Sequence, residues 1–279
     1  MLHLIFLIVL AGIWLVFAAI YDLKKRMVPN WLSFSLIIFA LGFRLFYSLF
    51  NENFLFFYQG LIGLGIFFII GNALYYGRMF AGGDAKLMMA LGPILGFSES
   101  FLENIEIFSL FIILFLFVGG FYGLIWSIFL SANNFKIFKK EFSRQFNNGK
   151  KIVYFVMAFA LFFMVLGFFE NLLFYLGILI FIMPYFYLYA KAVDNSCLIK
   201  DTSVLKLEEG DWLYRDLKIG NKILKSTWGG LTKNQIKEIK KRHKKIKIRQ
   251  GIPFVPTFLI SFLVLIYIYF QNVNLFSLF

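Results

Sequence analysis

The sequence is poor in the residues that hold metals and staple small domains together. Its 279 residues include one cysteine, Cys197, and two histidines, His3 and His243, at opposite ends of the chain. A single thiol excludes a disulfide framework and a cysteine-built zinc site. The two distant imidazoles argue against a histidine-built one, so neither metal nor cofactor is expected. Charge is scarce as well, at 15% of residues, and internal repeats, low-complexity tracts and flexible linkers are missing. What is there is apolar: 61% of the chain is hydrophobic, with 40 phenylalanines, against about 45–50% apolar residues in soluble domains. The reading is a polytopic membrane protein.

The apolar runs give its layout. Residues 2–20, 31–50, 54–76, 84–97, 107–130, 152–168, 172–189 and 252–270 read as about eight spans, because roughly 20 residues at 1.5 Å each cross a ~30 Å hydrocarbon core. The fourth is short and bent or ended by Gly92-Pro93, so the range is six to eight. The first run lacks the basic flank and small-residue cleavage site of a removable signal and is expected to be retained. Residues 191–251 carry 16 of the 28 Lys and Arg but 7 of the 15 acids. They read as a small basic α+β subdomain, with turns at Glu208-Glu209-Gly210-Asp211 and Ile219-Gly220-Asn221-Lys222 and a basic helix over 232–248. The fold class is thus an all-α membrane protein, divided into a membrane domain (1–190), the basic subdomain (191–251), and the last helix with the C-terminus (252–279).

Loop charge orients these spans. The connections at 21–30, 77–83, 131–151 and 191–251 are basic, whereas 51–53, 98–106 and 169–171 carry no Lys or Arg. By the positive-inside rule the first set is cytoplasmic, in strict alternation, with both termini outside. The basic subdomain then faces anionic lipid headgroups; nucleic acid is not an expected partner, because no base-stacking or groove-reading motif accompanies the charge.

Two acids stand out against this background, since a charge at membrane depth costs roughly 2.5–3.5 kcal/mol and marks a functional candidate. Asp22 closes the first span in Tyr21-Asp22-Leu23-Lys24-Lys25-Arg26-Met27-Val28-Pro29-Asn30, where Asn30 offers a cap to the second. Asp84 opens the fourth in Phe80-Ala81-Gly82-Gly83-Asp84-Ala85-Lys86, where it also suits the first turn of a helix. Both fall on the cytoplasmic side. Two carboxylates brought together share one proton and suit general acid–base hydrolysis. The plainer alternative is a pair of unrelated interface acids neutralised by Lys25, Arg26 or Lys86. Gly82 and Gly83 would admit a close-lying substrate strand or simply form a turn. Lys86 would tune the acids or bind lipid phosphate, and Arg26 would neutralise Asp22. Pro253 and Pro256 would lie beside the site, with Pro253 starting the last helix. A proton- or cation-coupled transporter would use the same acids, but nearer the bilayer midplane. A non-enzymatic lipid-anchored scaffold would dispense with either.

These motifs resemble the type IV prepilin peptidases, the GxGD membrane aspartyl proteases, and within them the archaeal preflagellin (prearchaellin) peptidases. The resemblance rests on Tyr21-Asp22 with Lys25-Arg26-Met27-Val28-Pro29-Asn30, on Ala81-Gly82-Gly83-Asp84-Ala85-Lys86-Leu87, and on the later Glu209-Gly210-Asp211, Gly229-Gly230-Leu231-Thr232 and Gly251-Ile252-Pro253-Phe254-Val255-Pro256. It implies Asp22 and Asp84 as the catalytic pair, with Ala81 standing where the motif has its first glycine. It implies a pilin-like or archaellin precursor as substrate, cut at its short basic leader. The chain lacks the cysteine-rich methyltransferase region of bacterial relatives, so peptidase activity without N-methylation is expected. A presenilin-like protease would share the Tyr-Asp and Gly-Asp theme, with its aspartates deeper and on adjacent spans.

Overall fold

The computed structural model describes residues 2–219 and 222–271. In chain order it contains α1 (Leu2–Lys25), α2 (Asn30–Phe50), α3 (Leu55–Tyr76), α4 (Gly82–Leu95), α5 (Phe101–Asn133), α6 (Phe135–Leu166) and α7 (Asn171–Ser196). There follow β1 (Ile199–Ser203), a short turn of helix (Val204–Lys206), β2 (Trp212–Leu213), β3 (Leu217–Ile219), β4 (Lys222–Leu224), α8 (Lys233–Arg242), β5 (Lys245–Arg249) and α9 (Val255–Phe270). Among the described residues, six helices are long and apolar enough to cross a membrane; α9 is shorter. At 14 residues, α4 reaches only about 21 Å, less than the hydrocarbon core. The protein is a polytopic helical membrane protein with a small sheet-containing part, as its composition implies.

Three boundaries differ from the sequence reading. The basic stretch 131–151 is helical, because α5 runs to Asn133 and α6 starts at Phe135. Lys136, Lys139, Lys140 and Arg144 alternate there with Phe138, Phe142 and Phe146; Lys and Arg are good helix formers, and hydropathy registers their charge rather than that spacing. Residues 101–106 are likewise helical, so Glu103 lies in the first turn of α5, where an acid complements the helix dipole. The basic helix expected over 232–248 ends at Arg242, and Lys245–Arg249 is a strand. Its alternation of Lys and Ile has period two and buries Ile246 and Ile248, a pattern masked by the surrounding run of lysines. The Gly220-Asn221 turn and the C-terminal residues 272–279 lie outside the described residues.

The chain forms two compact units, residues 1–124 with 252–279, and residues 125–251. The first is built on α1 to α4, the start of α5, and α9, around a core that includes Leu15, Leu36, Phe67, Leu87, Met88, Phe111 and Phe258. Within it, α3 and α4 meet backbone to backbone: a Cβ added at Gly63 would strike the carbonyl of Gly92, and the reverse. Small residues let membrane helices approach this closely. The far end of α4 is held by Arg44 of α2, which is 0% exposed. Its Nε donates to the Pro93 carbonyl at 2.6 Å, and its terminal nitrogens donate to the carbonyls of Phe56 at 2.7 Å, Gly96 at 2.5 Å and Ile94 at 3.4 Å. The guanidinium also lies 4.2 Å from the Phe56 ring centroid. Carbonyls in the last turn of a helix have no intrahelical partner and attract cations. Arg44 meets both needs from inside the buried core of the protein.

In the second unit α6 and α7 pack as a hairpin, and Cys197 and Leu198 connect α7 to the sheet. That sheet is antiparallel in the order β1-β5-β2, with Ile199 opposite Arg249 and Leu213 opposite Ile248; β3 and β4 form a separate pair. A core of Val204, Leu213, Ile219, Leu231, Ile236, Ile239, Ile246 and Ile248 lies under α8. Thr232 caps α8, with Gln235 returning the bond to the Thr232 N–H at 2.9 Å. The two late glycine motifs form one staple. The Gly210 N–H donates to the Leu231 carbonyl and the Leu231 N–H to the Asp211 carbonyl, both at 2.9 Å, with Gly210 and Gly230 at positive φ. Burial pushes the Asp211 carboxyl above its ordinary range, opposed by the Glu208 N–H that it accepts at 2.9 Å.

Candidate active site

The apolar run of α1 continues as helix to Lys25, which puts Asp22 in its last turn. An anion is disfavoured there by the helix's own dipole, yet Asp22 is 6% exposed. A second helix compensates. The Val255 N–H, at the start of α9, donates to Asp22 Oδ2 at 2.9 Å, and the Phe254 N–H also bonds to the carboxylate. Asp22 is therefore at the unfavourable end of α1 and the favourable end of α9. The helix-starting proline is Pro256, inside the first turn of α9; Pro253 precedes the helix, contrary to the sequence reading. Pro256 has no N–H to bond, which leaves the amides before it to find an acceptor.

Asp84 is the third residue of α4. Its Oδ2 accepts the Ala81 N–H at 3.3 Å, and the side chain is half-buried. Ala81 has an ordinary extended backbone, φ −72° and ψ 160°, so alanine in place of the motif's first glycine costs nothing conformationally. The two glycines are not equivalent. A Cβ on Gly82 would meet nothing closer than Tyr75 Cε2 at 3.7 Å. On Gly83 it would lie 3.2 Å from Val28 Cβ and 3.3 Å from Val28 N. Gly83 thus seats α4 against the turn that leaves Asp22, and the Asp22 and Asp84 carboxylates lie within electrostatic range of each other.

Other groups complete the surroundings. Arg26 and Tyr122 of α5 are both within electrostatic range of Asp22. Lys86 Nζ donates to Asn30 Oδ1 at 2.7 Å, linking α4 to the start of α2 rather than contacting either aspartate. Asn30 is accordingly the first residue of α2, whose cap position is Pro29. Phe80, just ahead of the glycine motif, packs edge-on to Phe115 at 5.6 Å between centroids. Phe115 does the same with Phe254 at 5.6 Å and lies 4.5 Å from Phe258. These rings join the segment ahead of Asp84 to α5 and to the start of α9, whose Val255 amide holds Asp22, and give the site an apolar wall. The Phe254 and Val255 amides were not legible from composition, although Pro256 behind an apolar residue signals a helix start that needs an acceptor. Tyr122 left no sequence signal within its aromatic span.

Two carboxylates within electrostatic range of each other, one tied by amides at the start of α9 and the other by a single longer bond, suit acid–base chemistry. Gly83→Ala is expected to slow that chemistry roughly tenfold, because an ångström-scale displacement of a catalytic group costs about 10²-fold and the contact asks for less. Gly82→Ala and Ala81→Gly should stay within about twofold by the same criterion. Rates for the three variants at equal protein level check this; equal loss in Gly82→Ala would refute the steric account.

Comparison with known proteins bears on this stretch. Residues 9–128, which contain both aspartates, match the model of the type IV leader peptidase family. The preflagellin peptidase of Methanocaldococcus jannaschii is 31% identical over 87 residues, covering 31% of this chain and 37% of that protein. The chain thus matches little more than a third of that relative's length. No solved structure matches it.

Proposed function

We propose, from the match of residues 9–128 to the type IV leader peptidase family, that this chain is a membrane aspartyl endopeptidase. Its substrate is a pilin-like or archaellin precursor, and it removes the short basic leader at the cytoplasmic face. The observation that carries the reading is that Asp22 and Asp84, about sixty residues apart in sequence, lie within electrostatic range of each other inside the matched stretch. Neither comparison supports a transporter.

The chemistry follows from two carboxylates holding one proton. The charged one takes a proton from water as the water oxygen bonds to the scissile carbonyl carbon, and the protonated one gives its proton to the carbonyl oxygen. The resulting diol then collapses. The first acid protonates the leaving nitrogen, the second recovers a proton from a diol hydroxyl, and the C–N bond breaks to release leader acid and mature amine. Both aspartates return to their starting states. Co-expression with a pilin-like precursor tests the reading: a shortened precursor in wild-type membranes, absent with Asp84→Asn, supports it, and normal processing with Asp84→Asn overturns it.

On this reading the basic connections face the cytoplasm, both termini lie outside, and the subdomain rests on anionic lipid. Lys237, Lys240, Lys241, Arg242, Lys244, Lys245 and Lys247 are exposed. Near an anionic surface each contributes about 1 kcal/mol. Hydrogen exchange of residues 233–249 should slow in phosphatidylglycerol nanodiscs relative to phosphatidylcholine ones, and the difference should vanish when Lys237, Lys240, Lys241 and Lys244 become Gln. Equal exchange in both lipids would contradict it.

A further inference from the structure

Arg26 occupies a conformation that arginine rarely adopts. It ends α1 with φ +59°, its N–H bonded to the Asp22 carbonyl at 2.8 Å. This left-handed position after a helix is normally filled by glycine, and a side chain there is strained. A strained non-glycine residue beside a candidate site calls for a reason in its side chain. Arg26 is half-buried, and its guanidinium lies within electrostatic range of both the Asp22 carboxylate and the Tyr122 phenol.

The neighbours of the two aspartates differ. Asp22 faces the Phe254 and Val255 amides at the N-terminus of α9, the Arg26 cation, the Tyr122 hydroxyl and Asp84. Asp84 faces the N-terminus of α4, whose first turn it occupies, the Ala81 N–H and Asp22. The nearby lysines are otherwise engaged: Lys86 on Asn30, and Lys25 over the Tyr21 ring at 5.6 Å. Amide donors, a helix N-terminus and a cation all favour an ionised carboxylate. Both acids have a helix N-terminus and an amide donor, Asp84 at α4 and Asp22 at α9; among the described residues, the neighbouring cation Arg26 is the group that sets Asp22 apart.

We propose that Arg26 is a positioning residue that keeps Asp22 as the charged, water-activating member of the pair, leaving Asp84 to carry the shared proton. This rests on the peptidase reading above. It accounts for the strain: glycine would relax the backbone but lose the charge.

The test is the pH dependence of precursor cleavage by the full-length protein in membranes, for wild type, Arg26→Lys, Arg26→Gln and Arg26→Gly, with Asp84→Asn as control. Loss of the cation makes Asp22 easier to protonate, so the acid limb should move to higher pH by about one unit in Arg26→Gln and Arg26→Gly. The change should fall on kcat rather than KM, and Arg26→Lys should stay close to wild type. Arg26→Gly should melt at the same temperature as wild type or above it while showing the displaced limb, which a merely structural arginine would not produce. A limb unmoved in Arg26→Gln and Arg26→Gly, or a uniform loss of rate at every pH, overturns the proposal while the peptidase reading stands. Cleavage that persists in Asp84→Asn sinks the peptidase reading itself.

Discussion

Replacing Arg44 with methionine should markedly lower the thermal stability of the protein. The substitution keeps an apolar chain of similar length but withdraws every donor from the Pro93, Ile94 and Gly96 carbonyls. Each buried acceptor left unpaired costs about 1–3 kcal/mol, so the loss is on the order of 3–5 kcal/mol once some relaxation is allowed. Against a stability of roughly 5–15 kcal/mol, this corresponds to a fall on the order of 10 °C in melting temperature. Arg44→Lys keeps a cation with three donors but not the planar fork that reaches several carbonyls at once, and should fall between. Thermal melts in detergent, read by loss of monodisperse protein, check the order wild type, Lys, Met. A methionine variant as stable as wild type would mean that α4 is not anchored through its carbonyl end. The consequence reaches the site, because α4 presents Asp84 at its other end.

The second large effect is chemical. Asp22→Asn and Asp84→Asn should each lower cleavage by at least about 10³-fold, since acid–base groups of this kind supply 10²–10⁴ and members of one catalytic unit are strongly non-additive. The double substitution should be no worse than either single one. Stability should separate the two positions. Asparagine at 22 still offers an oxygen to the Val255 N–H, whereas Asp22→Ala leaves that buried donor unpaired at about 1–3 kcal/mol. Asp84→Ala gives up only a 3.3 Å bond at a half-buried helix start and should cost less than Asp22→Ala. A stability loss at 84 equal to that at 22 would contradict the difference in their surroundings.

What the sequence revealed follows from where each signal resides. Helix number and the polytopic class are local properties of 20-residue windows, and the apolar runs carry them. Asp22 and Asp84 stand out for the same reason, as charges where charge is expensive. The boundaries that differ fall in charged stretches: the α5 start by Glu103 and Glu106, the α6 start among Lys136, Lys139 and Lys140, and β5 among Lys244, Lys245 and Lys247. Arg44 is a charge at membrane depth too, but a lone cation in an apolar run gives no hint of partners some fifty residues on. The clamp on Asp22 includes a main-chain amide 233 positions away in sequence, and a backbone donor has no residue type to read. Gly83 is legible as a glycine, but its steric need exists only because Val28 folds against it.

The account stands on Asp22 and Asp84 acting together on a peptide bond. Its most direct measurement is mass spectrometry of a pilin-like precursor after incubation with the purified, reconstituted protein. A product lacking only its basic leader, formed by wild type and absent with Asp22→Asn and with Asp84→Asn, is the predicted result. The same product from either variant, with the protein folded and at wild-type level, would contradict it.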